Sequence, residues 1–245
     1  MTHDLLLLAL GAAIAGFVQG LSGFAFGMVA MSIWVWGVEP RVAALMTVFG
    51  GLSGQLLQAF TVRRGLRLAA LAPFLAGAAI GVPIGVAVLP HLNADLFKLV
   101  LGCILIVCCP AMLFAHRLPR VAVGGRIGDG VAGAVGGLMG GIGGFTGVVP
   151  TLWCTLRGFD KDLQRTVLQN FNLAALAVTF AAYVATGAVT ADLLLPMAVV
   201  VPALIVPSLL GARVYVGLSE LAFRRIVLTL LSVAGIAMVV AALHK

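Results

Sequence analysis

Three residues of "KDLQRTVLQNFN" fall at i, i+4 and i+7: Arg165, Gln169 and Asn172. On a helix that spacing sets a guanidinium and two carboxamides on one face. Asn170 lies roughly 100° around the helix from Gln169 and is placed for a different contact. Groups of this kind donate hydrogen bonds, so they suit recognition of an acceptor-rich ligand. An earlier stretch carries a corresponding small-and-polar stripe of Thr47, Gly51, Gly54 and Gln58, with Gln55 beside it. Polar side chains within apolar runs face a bundle interior or an aqueous cavity. They act there as ligand contacts or as interhelical glue, and Arg165 has the further option of reaching out to the membrane surface.

Other chemistry finds little support. Cys103, Cys108, Cys109 and Cys154 follow no metal or redox spacing, and His3, His91, His116 and His244 are scattered. No nucleophile–base set or phosphate loop occurs, so an enzyme, a metal site and a bound cofactor are not expected. All eight carboxylates, including Asp129, fall at expected ends or loops.

The elements that hold these residues are spans. Of 245 residues, 62% are hydrophobic and 9% charged, with a mean hydropathy of +1.18. A soluble domain carries about 25% charged residues, so lipid is the solvent here and an all-α polytopic membrane protein is expected. The net charge of +7 comes from Lys and Arg scattered between apolar runs, which flank spans and mark no nucleic-acid surface. Apolar stretches cover 5–36, 42–62, 68–90, 94–115, 127–156, 163–187, 190–216 and 219–243. The first and fifth exceed the roughly 20 residues that cross a bilayer. They also hold "GLSGFAFG" and "GGLMGGIGGFTGVVP".

A shift of 117 residues lays Gly16, Gly20, Gly23 and Gly27 over Gly133, Gly137, Gly140 and Gly144, and further on Gly85 meets Gly211. Two units are expected, 1–118 and 127–245, joined by a cytoplasmic linker at 119–126. If every stretch crosses, Lys and Arg divide seven against eight between the two sides. If the first and fifth are re-entrant, they divide twelve against three. Cytoplasmic loops are rich in Lys and Arg, so the second arrangement, with inverted repeats, is preferred. Each repeat is then a glycine-rich broken helix followed by three transmembrane helices. Paired interruptions in two halves are the best pointer to a transporter's binding site. Glycines at every fourth position, such as Gly77, Gly81 and Gly85, read instead as helix-packing surfaces. Trp34, Trp36 and Trp153 fit interfacial anchors.

The two glycine motifs and the duplicated layout resemble the TauE/SafE sulfite exporter family over essentially the whole chain. That resemblance implies a secondary transporter of sulfite, organosulfonates or related small anions in the bacterial cytoplasmic membrane. A helix that starts at a glycine turn offers unpaired N–H groups and the positive end of its dipole, and so takes an anion without a lysine. The candidate binding set is Ser22, Gly23, Gly140, Gly141, Gly143, Gly144, Thr146, Gln55, Gln58, Gln169, Asn170, Asn172 and Arg165. The alternative is a channel-like anion pore, since backbone-lined constrictions also select ions. Lipid is the expected partner besides the substrate, and the small-residue faces leave room for a homodimer.

Overall fold

The computed structural model describes residues 2–23, 25–61, 65–115, 121, 124–214 and 220–244. Among these residues the chain is helical and has no strand. In chain order the helices are α1 (Thr2–Ser22), α2 (Phe26–Trp34), α3 (Pro40–Thr61), α4 (Leu68–Val88) and α5 (Ala94–Phe114). They are followed by α6 (Gly125–Gly143), α7 (Val148–Leu156), α8 (Lys161–Ala185), α9 (Leu194–Val214) and α10 (Glu220–Leu243). Among the described residues, seven helices are long and apolar enough to cross a membrane. Their starts follow local chemistry: Asn93 and Asp160 cap α5 and α8 by accepting the N–H of Leu96 at 2.8 Å and of Leu163 at 2.9 Å.

Small residues set the packing. α1 lies parallel to α9, with Gly16 and Gly20 against the Leu204 and Ser208 carbonyls and Gly211 against that of Phe17. α4 lies parallel to α6. Gly77, Gly81 and Gly85 meet the carbonyls of Gly130, Ala134 and Leu138, while Gly133 and Gly137 rest on Phe74 and Ala78. A Cβ at any of these positions would collide with backbone, so glycine is what lets these helices touch. In lipid such close approach supplies van der Waals attraction that the hydrophobic effect does not.

Two further pairs run antiparallel. Phe49 of α3 stacks near Phe180 of α8, with ring centroids 5.6 Å apart, and Gly51 meets Leu176. Further along the same pair, Gly65 just beyond α3 meets Thr166 near the start of α8. In α5 and α10, Gly102 faces Met238 and Val239, while Gly235 faces Leu105 and Ile106. Outward faces carry Ile80, Val107, Val178, Val206 and Leu230, all exposed, as lipid contact requires. Pro73 and Pro83 lie inside α4, and Pro202 and Pro207 inside α9, without ending either helix.

Candidate functional site

Each overlong apolar stretch divides at a left-handed glycine. Gly23 has φ +82° after α1, and Gly144 has φ +78° after α6. This conformation ends a helix and is open to glycine at little cost. The left-handed pair therefore matches Gly23 with Gly144, one helical turn beyond the Gly23–Gly140 match that spacing suggested.

After each turn the chain doubles back, and an indole fastens the two arms. Trp34 of α2 is fully buried, packs on Gly11 of α1 and donates Nε1–H to the Leu7 carbonyl at 3.1 Å. Trp153 of α7 packs on Gly128 of α6 and donates Nε1–H to Asp129 Oδ1 at 2.8 Å. Arg157 adds a salt bridge to the same oxygen at 3.0 Å and donates to the Gly125 carbonyl at 2.6 Å. These two tryptophans thus clasp the arms of their hairpins. Trp36 is half exposed, with the Lys98 ammonium 5.6 Å from its ring centroid. Asp129, expected at an end, lies one turn inside α6 and is 4% exposed. At the base of the first hairpin, Asp4, Glu39 and Asp192 line a cavity of about 380 Å³.

The two turns abut. Gly27, in the first turn of α2, lies on the Gly144 carbonyl, and Gly144 also touches the Thr47 methyl. Each turn is braced by the long helix that follows its hairpin. On α3, Gln55 Nε2 donates to the Gly23 carbonyl at 2.8 Å and Gln58 Nε2 to the Gln19 carbonyl at 3.1 Å. On α8, Asn172 Oδ1 accepts the Thr146 hydroxyl at 2.9 Å, and its carboxamide lies against Gly147, immediately before α7. Tyr183 Oη donates to the Gly141 carbonyl at 2.6 Å.

The candidate set divides accordingly. Gly23, Gly143, Gly144, Thr146, Gln55, Gln58 and Asn172 gather at the turns, and Gln169 is buried one turn from Asn172. Ser22 is also there, but its hydroxyl is spent locally: it donates to Val18 O at 2.8 Å and accepts Ala25 N–H at 3.3 Å. Gly140 is covered by the Thr146 methyl, and Gly141 packs on the α4 backbone at Val82 and Val86. Asn170 lies elsewhere, donating to Gly65 O at 2.9 Å and Thr166 O at 2.8 Å. Arg165 is exposed and outside the buried group.

Gln19, Tyr183 and Asp129 were missed as site residues. Tyr183 had a signal: Asn172, Thr179 and Tyr183 recur at i, i+7 and i+11, one face of α8. Gln19, a lone carboxamide four residues before the turn glycine, offered less.

The fold and site define a multi-pass membrane protein whose buried polar groups converge on two abutting helix turns. A family model for the sulfite exporter TauE/SafE matches residues 8–238, and the chain belongs to that family. The family consists of membrane exporters of small anions rather than enzymes. No curated protein and no solved structure matches the chain.

Proposed function

We propose that the chain is a secondary transporter carrying a small sulfur-containing anion, sulfite or an organosulfonate, across the bacterial cytoplasmic membrane. Both hairpins are re-entrant in this reading, and the anion binds between their turns.

Helix direction supports the re-entrant reading. α3 and α8 run antiparallel, yet α4, α5 and the α6–α7 stretch separate them. With α4 and α5 crossing once each, α6–α7 has to begin and end on one side. For α1–α2, Asp4 and Glu39 at its two ends line a single cavity. Treating 1–118 and 127–245 as inverted copies exchanges α1 with α6 and α4 with α9, so that the α1–α9 packing becomes the α6–α4 packing. The cytoplasmic side then holds Arg67, Arg126, Arg157, Lys161, Arg165, Arg213 and Arg225, in accord with the excess of basic residues expected there. From Leu5, where the first apolar stretch begins, to Gly23 is about 27 Å along α1, and from Ile127 to Gly144 about 26 Å along α6. Both lengths fall short of a hydrocarbon core about 30 Å thick.

One observation carries the binding site: the Asn172 carboxamide lies beside Gly147 at the head of α7. Thr146 occupies Asn172 Oδ1, which leaves the amide hydrogens as the end that meets an anion. The first N–H groups of α7 and its dipole add to them. Gly143 packs on Phe145 and Met31, and Gly144 on Thr47, which holds the turn close beneath that site.

Flux in proteoliposomes tests the proposal, with sulfite, sulfoacetate, taurine and sulfate offered under imposed pH and sodium gradients. Saturable uptake of at least one sulfur oxyanion that falls sharply in Asn172→Leu is expected. Single-channel current, or flux unchanged in that variant, would count for a pore or a different site.

A further inference from the structure

The first turn is chemically unlike the second. Its buried polar groups are three glutamines, Gln19, Gln55 and Gln58, gathered at the C-terminal end of α1. Gln55 and Gln58 spend amide hydrogens on the carbonyls of Gly23 and Gln19, as above, and Gln19 Nε2 donates to the Gly51 carbonyl at 3.4 Å. That contact favours this orientation of the Gln19 carboxamide, because the reversed one would set two oxygens against each other. Gln19 Oε1 is left facing Gly54 with no hydrogen-bond partner, in a side chain only 1% exposed. A buried acceptor without a donor costs about 1–3 kcal/mol, so a native protein is expected to fill it with a donor or a cation.

We propose that this cluster binds a small monovalent metal cation, with Gln19 Oε1 as a ligand. The amide hydrogens that Gln55, Gln58 and Gln19 donate go to the carbonyls of Gly23, Gln19 and Gly51, and Gln19 Oε1 is the acceptor that faces no donor. The last turn of α1 presents carbonyl oxygens and the negative end of a 21-residue helix dipole. The Gln58 carboxamide oxygen lies 4.0 Å from where a Cβ on Gly23 would stand. Among the described residues, the cluster's buried polar side chains are neutral. That suits a monovalent ion, since calcium sites draw on carboxylates. Half-helix C-termini and unwound carbonyls coordinate coupling ions in other broken-helix transporters. The first break would then hold the cation beside the anion that binds between the turns, and the cation's dipolar partner is α1 where the anion's is α7.

The test is thermal unfolding of the purified full chain in detergent, in sodium chloride and in choline chloride at equal ionic strength. It needs no knowledge of the anion, so its failure leaves anion flux untouched and is distinguishable from failure of the transport reading. Sodium at ten times its dissociation constant raises the midpoint by about 3 °C or more. Gln19→Leu abolishes the difference, and Gln19→Met serves if the leucine variant does not fold. Gln19→Glu, which keeps the acceptor, retains it. Equal midpoints for the wild type in the two salts, the result expected if water alone fills the site, overturn the proposal. So does a full sodium shift in the Gln19→Leu chain.

Discussion

Removing the Asp129 carboxylate tests how the second hairpin is held. Its Oδ1 accepts from Trp153 Nε1 at 2.8 Å and from Arg157 at 3.0 Å. In Asp129→Ala the part-buried indole N–H loses its acceptor, at a cost of about 1–3 kcal/mol. The guanidinium keeps only the Gly125 carbonyl among its bonds here. Breaking a fully buried ion pair costs about 3–5 kcal/mol, and an exposed pair about 0–1. With side-chain exposures of 24% for Arg157 and 5% for Asp129, this pair falls between those limits, near about 2 kcal/mol. The sum is about 3–5 kcal/mol, measured as the change in unfolding free energy by reversible denaturation in mixed micelles. Trp153→Phe keeps the ring on Gly128 and removes only the donor, so it loses about 1 kcal/mol. A double-mutant cycle of Asp129→Ala with Arg157→Gln gives a coupling of about 1–2 kcal/mol. Asp162→Ala, in the exposed first turn of α8, is the comparison and costs under about 1 kcal/mol. An Asp129→Ala loss no larger than the Asp162→Ala loss would refute the clasp.

The remaining expectations follow from single contacts. Gly81→Leu has no space against the Ala134 carbonyl, so it separates α4 from α6 and abolishes the monodisperse peak in size-exclusion chromatography. Gly144→Ala forces a Cβ into the left-handed region at φ +78°, 2.9 Å from the Thr47 methyl. It loses at least about 1 kcal/mol in the same micelle assay. Asn172→Ala removes a donor to a charged ligand and lowers anion flux by at least about tenfold, whereas Asn170→Ala, distant from the turns, leaves the flux within about twofold.

Much of the fold is written in length and charge. Breaks such as "VRRGLR" and "RGFDKD" bound the helices because charges stay out of lipid, and the fourfold spacing of Gly77, Gly81 and Gly85 marked a packing face that the α4–α6 contact occupies. Glycine abundance hid the register of the second turn, since any of Gly140, Gly141, Gly143 and Gly144 satisfies the spacing and only the positive φ at Gly144 separates it. Periodicity placed Arg165 with Asn172 on one face. It carries no information on depth, and Arg165, one turn into α8, is exposed while Asn172 is buried. Trp34 and Trp153 lie near the ends of their stretches, where aromatic residues commonly meet the interface. Only the return of each chain segment onto Gly11 and Gly128 turns them inward. Asp129 escaped for the same reason: its partners lie 24 and 28 residues away and meet it only once the hairpin has closed.

The central claim is that the two halves face opposite ways because each begins with a segment that enters and leaves the bilayer on one side. Single cysteines at Arg67, Lys161, Asn93 and Thr190, in a chain whose four native cysteines are replaced by alanine, test it directly with a membrane-impermeant thiol reagent in sealed vesicles of known orientation. The account predicts that Arg67→Cys and Lys161→Cys react together from the cytoplasmic face, and that Asn93→Cys and Thr190→Cys react together from the other. Labelling of Arg67→Cys and Lys161→Cys from opposite faces would contradict it.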